Sequence, residues 1–371
     1  MQAIRSQGVK YSFTFRVCLV FILSFAFHSR LAMAQSSASD PQKRWPVGAL
    51  TTELAGLPLE VWYPAAEGSA SGKSPLRYDL RRFLPTAEAQ KIPDSAEPFQ
   101  SCACFADLPI APELSHLPLV IMVHGTAGFR TASLTQATFL AAQGFLVIAA
   151  DHPAINLKDI LTSLFGLFRA DQKGDVERIL SALQSNEAAI HPYLQLADTT
   201  HIGLIGHSAG GGAVSALGRL PGVKALVVMA AGSRIDAAPG VFSLVMGAVD
   251  DQVSNYEAQR KAFQNVAAPK AFIGLNRAGH LAFTDICTLM PASGGILNAA
   301  ITYGLAVPPL VAKLGRDGCK EGQLEPERSA AIINASIAAV LNDTLRGIPA
   351  AEALGGLQAS FADIKDFEFS P

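Results

Sequence analysis

From Leu117 onward the chain alternates short, uninterrupted apolar runs with longer helix-like stretches, and this alternation limits the fold more than any other feature. The runs are "LPLVIMV", "FLVIAA", "HIGLIG", "VKALVVMA", "VFSLVMG" and "KAFIGL", all rich in β-branched residues. Strands buried on both faces of a parallel sheet read this way. The intervening stretches are "SLTQATFLAAQ", "GDVERILSALQS", "AGGGAVSALGRL" and "SNYEAQRKAFQN". Together they predict an α/β chain: an open, mostly parallel sheet with helices on both faces, and a ligand site at the carboxyl ends of the strands. An earlier strand is expected at "LPLEVWYP", ending at Pro64, followed by loop and short helix over 65–117. Residues 153–171, an extra apolar helical piece, and 285–325, ahead of the terminal helix "PERSAAIINASIAAVLNDTL", interrupt the alternation. Inserts at strand ends commonly wall a pocket, so both are expected to contact substrate; extra core packing is the alternative.

The opening of the chain follows a different rule. Arg5, Lys10 and Arg16 precede the apolar run "VCLVFILSFAF", and Ala32-Met33-Ala34 supplies small residues where a signal peptidase reads. The expectation is a cleaved export signal over 1–34 and one catalytic domain over 35–371. A membrane anchor is the competing reading, but the run falls short of the ~20 apolar residues a span needs. Cleavage leaves 25 basic residues against 31 acidic ones, a net charge of −6, which argues against nucleic acid as a partner. It also leaves four cysteines, an even number suited to a secreted or periplasmic protein. Pairing of Cys287 with Cys319 is favoured because it closes a long irregular segment. Cys102 and Cys104 are either bridged to each other or left as thiols, since C-x-C without a nearby histidine suits zinc poorly.

Within this frame, Gly206-His207-Ser208-Ala209-Gly210 reads G-x-S-x-G, directly after a strand and directly before a helix. A turn this sharp leaves no room for a Cβ at either flanking glycine and projects the serine hydroxyl away from the backbone. A hydroxyl attacks only if a base takes its proton, a third group orients the base, and N–H donors stabilise the oxyanion. Ala209 N–H is the first expected donor, at the helix N-terminus, and Thr126 N–H in "VHGTAGFR" the second. Among eight histidines, His280 in "NRAGHLAF" occupies the loop after the last central strand, where the Ser…Asp…His chain order expects the base. The acid is expected in "LVMGAVDDQV", where Gly247, Asp250 and Val253 match the usual spacing; Asp250 leads and Asp251 is its rival. His207 is assigned packing or supporting hydrogen bonds. The stretch "LFGLF" suggests an acyl or aromatic pocket lined by Leu164, Phe165, Leu167 and Phe168.

With these residues in place, the chain resembles the α/β-hydrolases over roughly residues 50 to 345. Within them, "LEVWYP", "VHGTAGFR", "AADHP" and "GHSAGG" resemble the platelet-activating-factor acetylhydrolase group and the related predicted dienelactone hydrolases. The resemblance implies a serine esterase that needs no metal or organic cofactor, with Ser208 as nucleophile. In the acetylhydrolases the acid can follow the strand after the nucleophile, but "VVMAAGSR" carries no carboxylate there, so the acid stays at Asp250. Dienelactone hydrolases often use cysteine where this chain has Ser208. The expected activity is hydrolysis of small-molecule or polymeric esters of lipid-like, aryl or polyester type. A catalytically silent binding protein and an amide or lactone hydrolase are the alternatives.

Overall fold

The computed structural model describes residues 43–163, 168–185 and 191–371. Its described strands are β1 (Val47–Leu54), β2 (Leu57–Pro64), β3 (Arg77–Asp79), β4 (Phe99–Ser101), β5 (Phe105–Ala106), β6 (Leu117–Val123), β7 (Leu146–Ala150), β8 (Ala197–His207), β9 (Val223–Met229), β10 (Phe242–Ala248), β11 (Lys270–Leu275) and β12 (Ile364–Ser370). Ten of them form one sheet in the order β12-β11-β10-β9-β8-β6-β7-β2-β1-β5, while β3 and β4 pair separately. The six apolar runs are the six parallel strands from β7 to β11, as the alternation predicts.

Each parallel strand is buried on both faces, and alternate residues serve different layers. Val120 and Met122 of β6 pack with the helices Leu134–Ala142 and Pro326–Arg346. Leu119, Ile121 and Val123 pack with Gln172–Leu183, Ala209–Ser215 and Tyr256–Gln264 on the other face. The long helix starts with Pro326 in its first turn and stops at Gly347, whose φ of 69° closes the last turn without a Cβ clash. Its Ile333, Ile337, Val340 and Leu341 keep a three- and four-residue spacing on the sheet side, and all are buried.

Five described strands, β1, β3, β4, β5 and β12, lie outside the expected set, the three short ones falling where loop and short helix were expected. β1 joins β2 through Ala55 and Gly56, both at positive φ (54° and 72°), so a two-residue hairpin forms without the usual Asn-Gly signal. β12 returns antiparallel to β11 and closes the far edge of the sheet.

A third apolar cluster sits above the carboxyl ends of the strands, built from Leu80, Phe83, Phe129, Leu289, Met290 and Ala299 among others. The insert after residue 285 supplies much of it, through Ile286, Leu289, Met290 and the helix Ile296–Thr302. A Cys287–Cys319 disulfide ties the two ends of this insert together, and Cys102 and Cys104 are bridged to each other. Among the described residues of the other insert an α-helix runs over Leu157–Thr162, with Asn156 Oδ1 accepting the Asp159 N–H at 2.9 Å as cap. Leu164, Phe165 and Leu167 of the expected pocket lie outside the described residues, as does the 1–34 segment. Phe168 is 91% exposed and lines none of the pockets described below, which corrects its expected place in a substrate pocket. No helix among the described residues is long and apolar enough to cross a membrane.

Candidate active site

Ser208 stands between β8 and the helix Ala209–Ser215 at φ 55°, ψ −119°, a conformation that costs a non-glycine residue about 1–3 kcal/mol. The surroundings hold it there. Its N–H donates to the Met229 carbonyl at 2.9 Å, and its carbonyl accepts the Gly212 N–H at 3.0 Å. A Cβ on Gly206 would collide with the Gly210 carbonyl, and one on Gly210 with the Val123 carbonyl. Both glycines of G-x-S-x-G are therefore demanded by backbone packed on backbone.

His280 Nε2 lies 2.8 Å from Ser208 Oγ, and His280 Nδ1 lies 2.9 Å from Asp251 Oδ2. The carboxylate that meets the imidazole is thus Asp251, and the expectation of Asp250 is corrected by one residue. The reason is the turn after β10. Asp250 is held by its backbone N–H on the Ala278 carbonyl. Asp251 turns inward, where Oδ1 accepts the N–H groups of Val253 (2.8 Å) and Ser254 (2.7 Å). Its Oδ2 also accepts from Gln259 Nε2 at 3.0 Å. Gln259 is fixed in turn, because its Oε1 accepts the Ala248 N–H at 3.1 Å. Four hydrogen bonds, from Val253, Ser254, Gln259 and His280, fix this carboxylate in place. Nothing in the spacing of the strand pattern pointed to Gln259; its only signal is its place on the inner face of the next helix.

His207 is buried beside the serine, its Nε2 2.9 Å from the backbone carbonyl of His280. Burial, and then the neighbouring His280, hold its pKa down to about 3, so it is neutral and donates this bond from Nε2–H. It thereby supports the loop that carries the base.

The loop from His124 to Arg130 faces Ser208. A Cβ on Gly125 would come within 2.9 Å of the Ser208 Cβ, so only glycine allows this approach. The Gly125 carbonyl accepts from His124 Nδ1 at 2.8 Å and from the Gly128 N–H at 3.0 Å. His124 Nε2 accepts the His152 N–H at 3.1 Å, which fixes the ring as the Nδ1–H tautomer. Burial, then the adjacent His152, lower its pKa to about 3. His152 Nδ1 pairs with Asp175 Oδ2 at 2.9 Å. Further along, the Arg130 N–H donates to Asp151 Oδ1 at 2.7 Å, its guanidinium pairs with the same carboxylate, and its Nε lies 3.5 Å from the buried Glu60. Burial raises the Glu60 pKa, against the opposing pull of Tyr78, Thr51 and Arg130. The motifs "VHGTAGFR" and "AADHP" are therefore two halves of one brace: Arg130 on Asp151, His124 on His152.

Thr126 lines a pocket beside the serine together with Gly125, His207 and Leu281, and Ala209 begins the helix behind Ser208. Among the described residues, no three His, Cys, Asp or Glu side chains are grouped to hold a metal ion.

Comparison with known proteins agrees with this architecture. Residues 94–157 match the family described as platelet-activating factor acetylhydrolase, isoform II, a span that contains both halves of the brace. No curated protein matches the chain. Among solved structures, the chain is similar to a ferulic acid esterase from Streptomyces cinnamoneus, with a TM-score of 0.58 and 20% identity over 85% of this chain and 95% of that one.

Proposed function

We propose that this chain, which has the α/β-hydrolase fold and matches the platelet-activating factor acetylhydrolase model over residues 94–157, is an exported carboxylic-ester hydrolase working through Ser208, His280 and Asp251. One observation carries the reading: the unbroken hydrogen-bond chain from Ser208 Oγ through His280 to Asp251 Oδ2.

In this mechanism Ser208 Oγ attacks the ester carbonyl carbon as its proton passes to His280 Nε2. Asp251 holds the Nδ1–H tautomer and stabilises the imidazolium. The carbonyl oxygen, now negative, accepts from the N–H groups of Ala209 and Thr126. His124 serves the second donor indirectly. A trans peptide sets C=O and N–H on opposite sides, so pinning the Gly125 carbonyl away from the site aims the Thr126 N–H into it. Collapse of the intermediate breaks the bond to the leaving oxygen, which takes the proton from Nε2 and departs as the alcohol. Water then attacks the acyl-serine, gives its proton to Nε2, and releases the carboxylic acid with Ser208 restored.

Lipid-like, aryl or polyester esters remain the proposed substrates. Export is supported by the two disulfides and by the basic-then-apolar composition of residues 1–34. Hydrolysis of p-nitrophenyl esters tests the assignment: Ser208→Ala should lower kcat by at least about 10⁴-fold. A variant that kept its turnover would remove Ser208 from the mechanism.

A further inference from the structure

The pocket beside the serine is lined by Gly125, which packs against Ser208, by Thr126 after it and by His207, which precedes Ser208 in the chain. It does not end there. Phe129, Leu157, Ile296, Leu297 and Val311 are shared with a second cavity that runs on beneath the insert helices. Among the described residues, every side chain lining this second cavity is apolar, including Leu80, Leu84, Ile92, Leu289, Met290 and Leu305. The space is therefore suited to hydrocarbon and offers no partner for a hydroxyl, an amide or a charge. An empty apolar hollow of this kind normally loses the contacts that stabilise a core. Here the insert is built around it, and the Cys287–Cys319 bridge ties the wall in place.

We propose that this second cavity is a binding channel for an unbranched hydrocarbon chain, which enters from the ester at Ser208, passes Phe129 and extends under the 286–315 insert. The inference rests on the ester-hydrolase reading above and narrows its substrate class to esters with one extended apolar arm. The chain reaches the channel along the side of the oxyanion loop, because residues 125–129 line the near pocket and Phe129 alone of them continues into the far one. That arm is either the acyl chain or the alcohol chain of the ester, and both present the same methylenes to the same wall.

Two ester series separate these sources. In the first, p-nitrophenyl esters from acetate to dodecanoate vary the acyl chain at constant leaving group. In the second, acetate esters of ethanol, butanol, octanol and dodecanol vary the alcohol, with acid release as the readout. Burying methylenes should raise kcat/KM by on the order of tenfold for each two carbons until the channel is full, in one series only. A rise in the first assigns the channel to the acyl chain, and a rise in the second to the alcohol. Ala300→Trp, which fills the far wall, should then cut the preference for octanoate over acetate, or for the octyl over the ethyl ester, by about tenfold or more. Turnover of the acetate ester by that variant reports a folded site, and the wild-type profile stands even if the variant does not fold. Acetate hydrolysis with no rise along either series would overturn the channel and leave the esterase reading intact. No hydrolysis of any ester would overturn the esterase reading itself.

Discussion

Two buried histidine pairs flank Ser208, and they are built almost alike. In one, His207 lies against His280, which is paired with Asp251. In the other, His124 lies against His152, which is paired with Asp175. In each pair burial keeps the member next to the site loops neutral, with a pKa of about 3, and that member donates to a backbone carbonyl: His207 to His280, His124 to Gly125. The difference lies at the far ring nitrogen. His280 Nε2 meets the Ser208 hydroxyl, whereas His152 Nε2 is buried with no hydrogen-bond partner among the described residues. Under the proposed mechanism a histidine–aspartate pair is not by itself a catalytic device and becomes one only when its free nitrogen faces a group whose proton must move.

Substituting the two acids breaks this comparison most sharply. Asp251→Asn should lower kcat by about 10³–10⁴-fold, because the amide favours the wrong imidazole tautomer. Asp250→Asn should stay within about threefold of wild type. Asp175→Asn should cost about 2 kcal/mol of stability, read from urea unfolding, and change kcat by less than about tenfold. Equal losses of kcat in the Asp251 and Asp175 variants would erase the distinction between the pairs.

A smaller effect is expected at His124. His124→Phe removes the bond to the Gly125 carbonyl and should lower kcat by about 10- to 100-fold with little change in KM, since the oxyanion donor matters most in the transition state. His124→Asn, which keeps a donor, should recover part of that loss. A rise in KM at constant kcat would show instead that His124 shapes binding alone.

The smallest effect is on stability against pH. The His124 pKa falls from about 6.5 unfolded to about 3 folded, so the unfolded chain binds the extra proton between those values. Its contribution is present above pH 6.5 and is lost as the pH falls toward 3. Between pH 7 and pH 5, wild type should therefore lose about 2 kcal/mol more stability than His124→Phe. Identical losses in the two proteins would mean that His124 is not held neutral by the fold.

The parallel sheet and the serine turn were legible because both are written locally, in continuous apolar runs and in glycines forced by backbone contact. His280 followed from chain order. The acid did not, because Asp250 and Asp251 are adjacent and no periodic pattern extends beyond the end of β10. Which of them turns inward depends on the N–H groups of Val253 and Ser254 and on Gln259, whose partners become apparent only once the next helix is docked. β12 was hidden for a similar reason: "IKDFEFS" carries three charges, Lys365, Asp366 and Glu368, in seven residues and pairs along one side only. Of the expected pocket stretch "LFGLF" only Phe168 lies among the described residues, where it is exposed, and the apolar cavity is walled by residues dispersed from Leu80 to Val311, which no local run of sequence reveals.

The central claim is that Ser208 is an activated nucleophile, and covalent labelling tests it most directly. A fluorophosphonate, followed by peptide mass spectrometry, should add one phosphonyl group per chain, on the peptide that contains Ser208, and Asp251→Asn should slow the labelling strongly while Asp250→Asn does not. An unlabelled Ser208 in the folded wild-type protein, or a stoichiometric adduct on a different serine, would contradict the account.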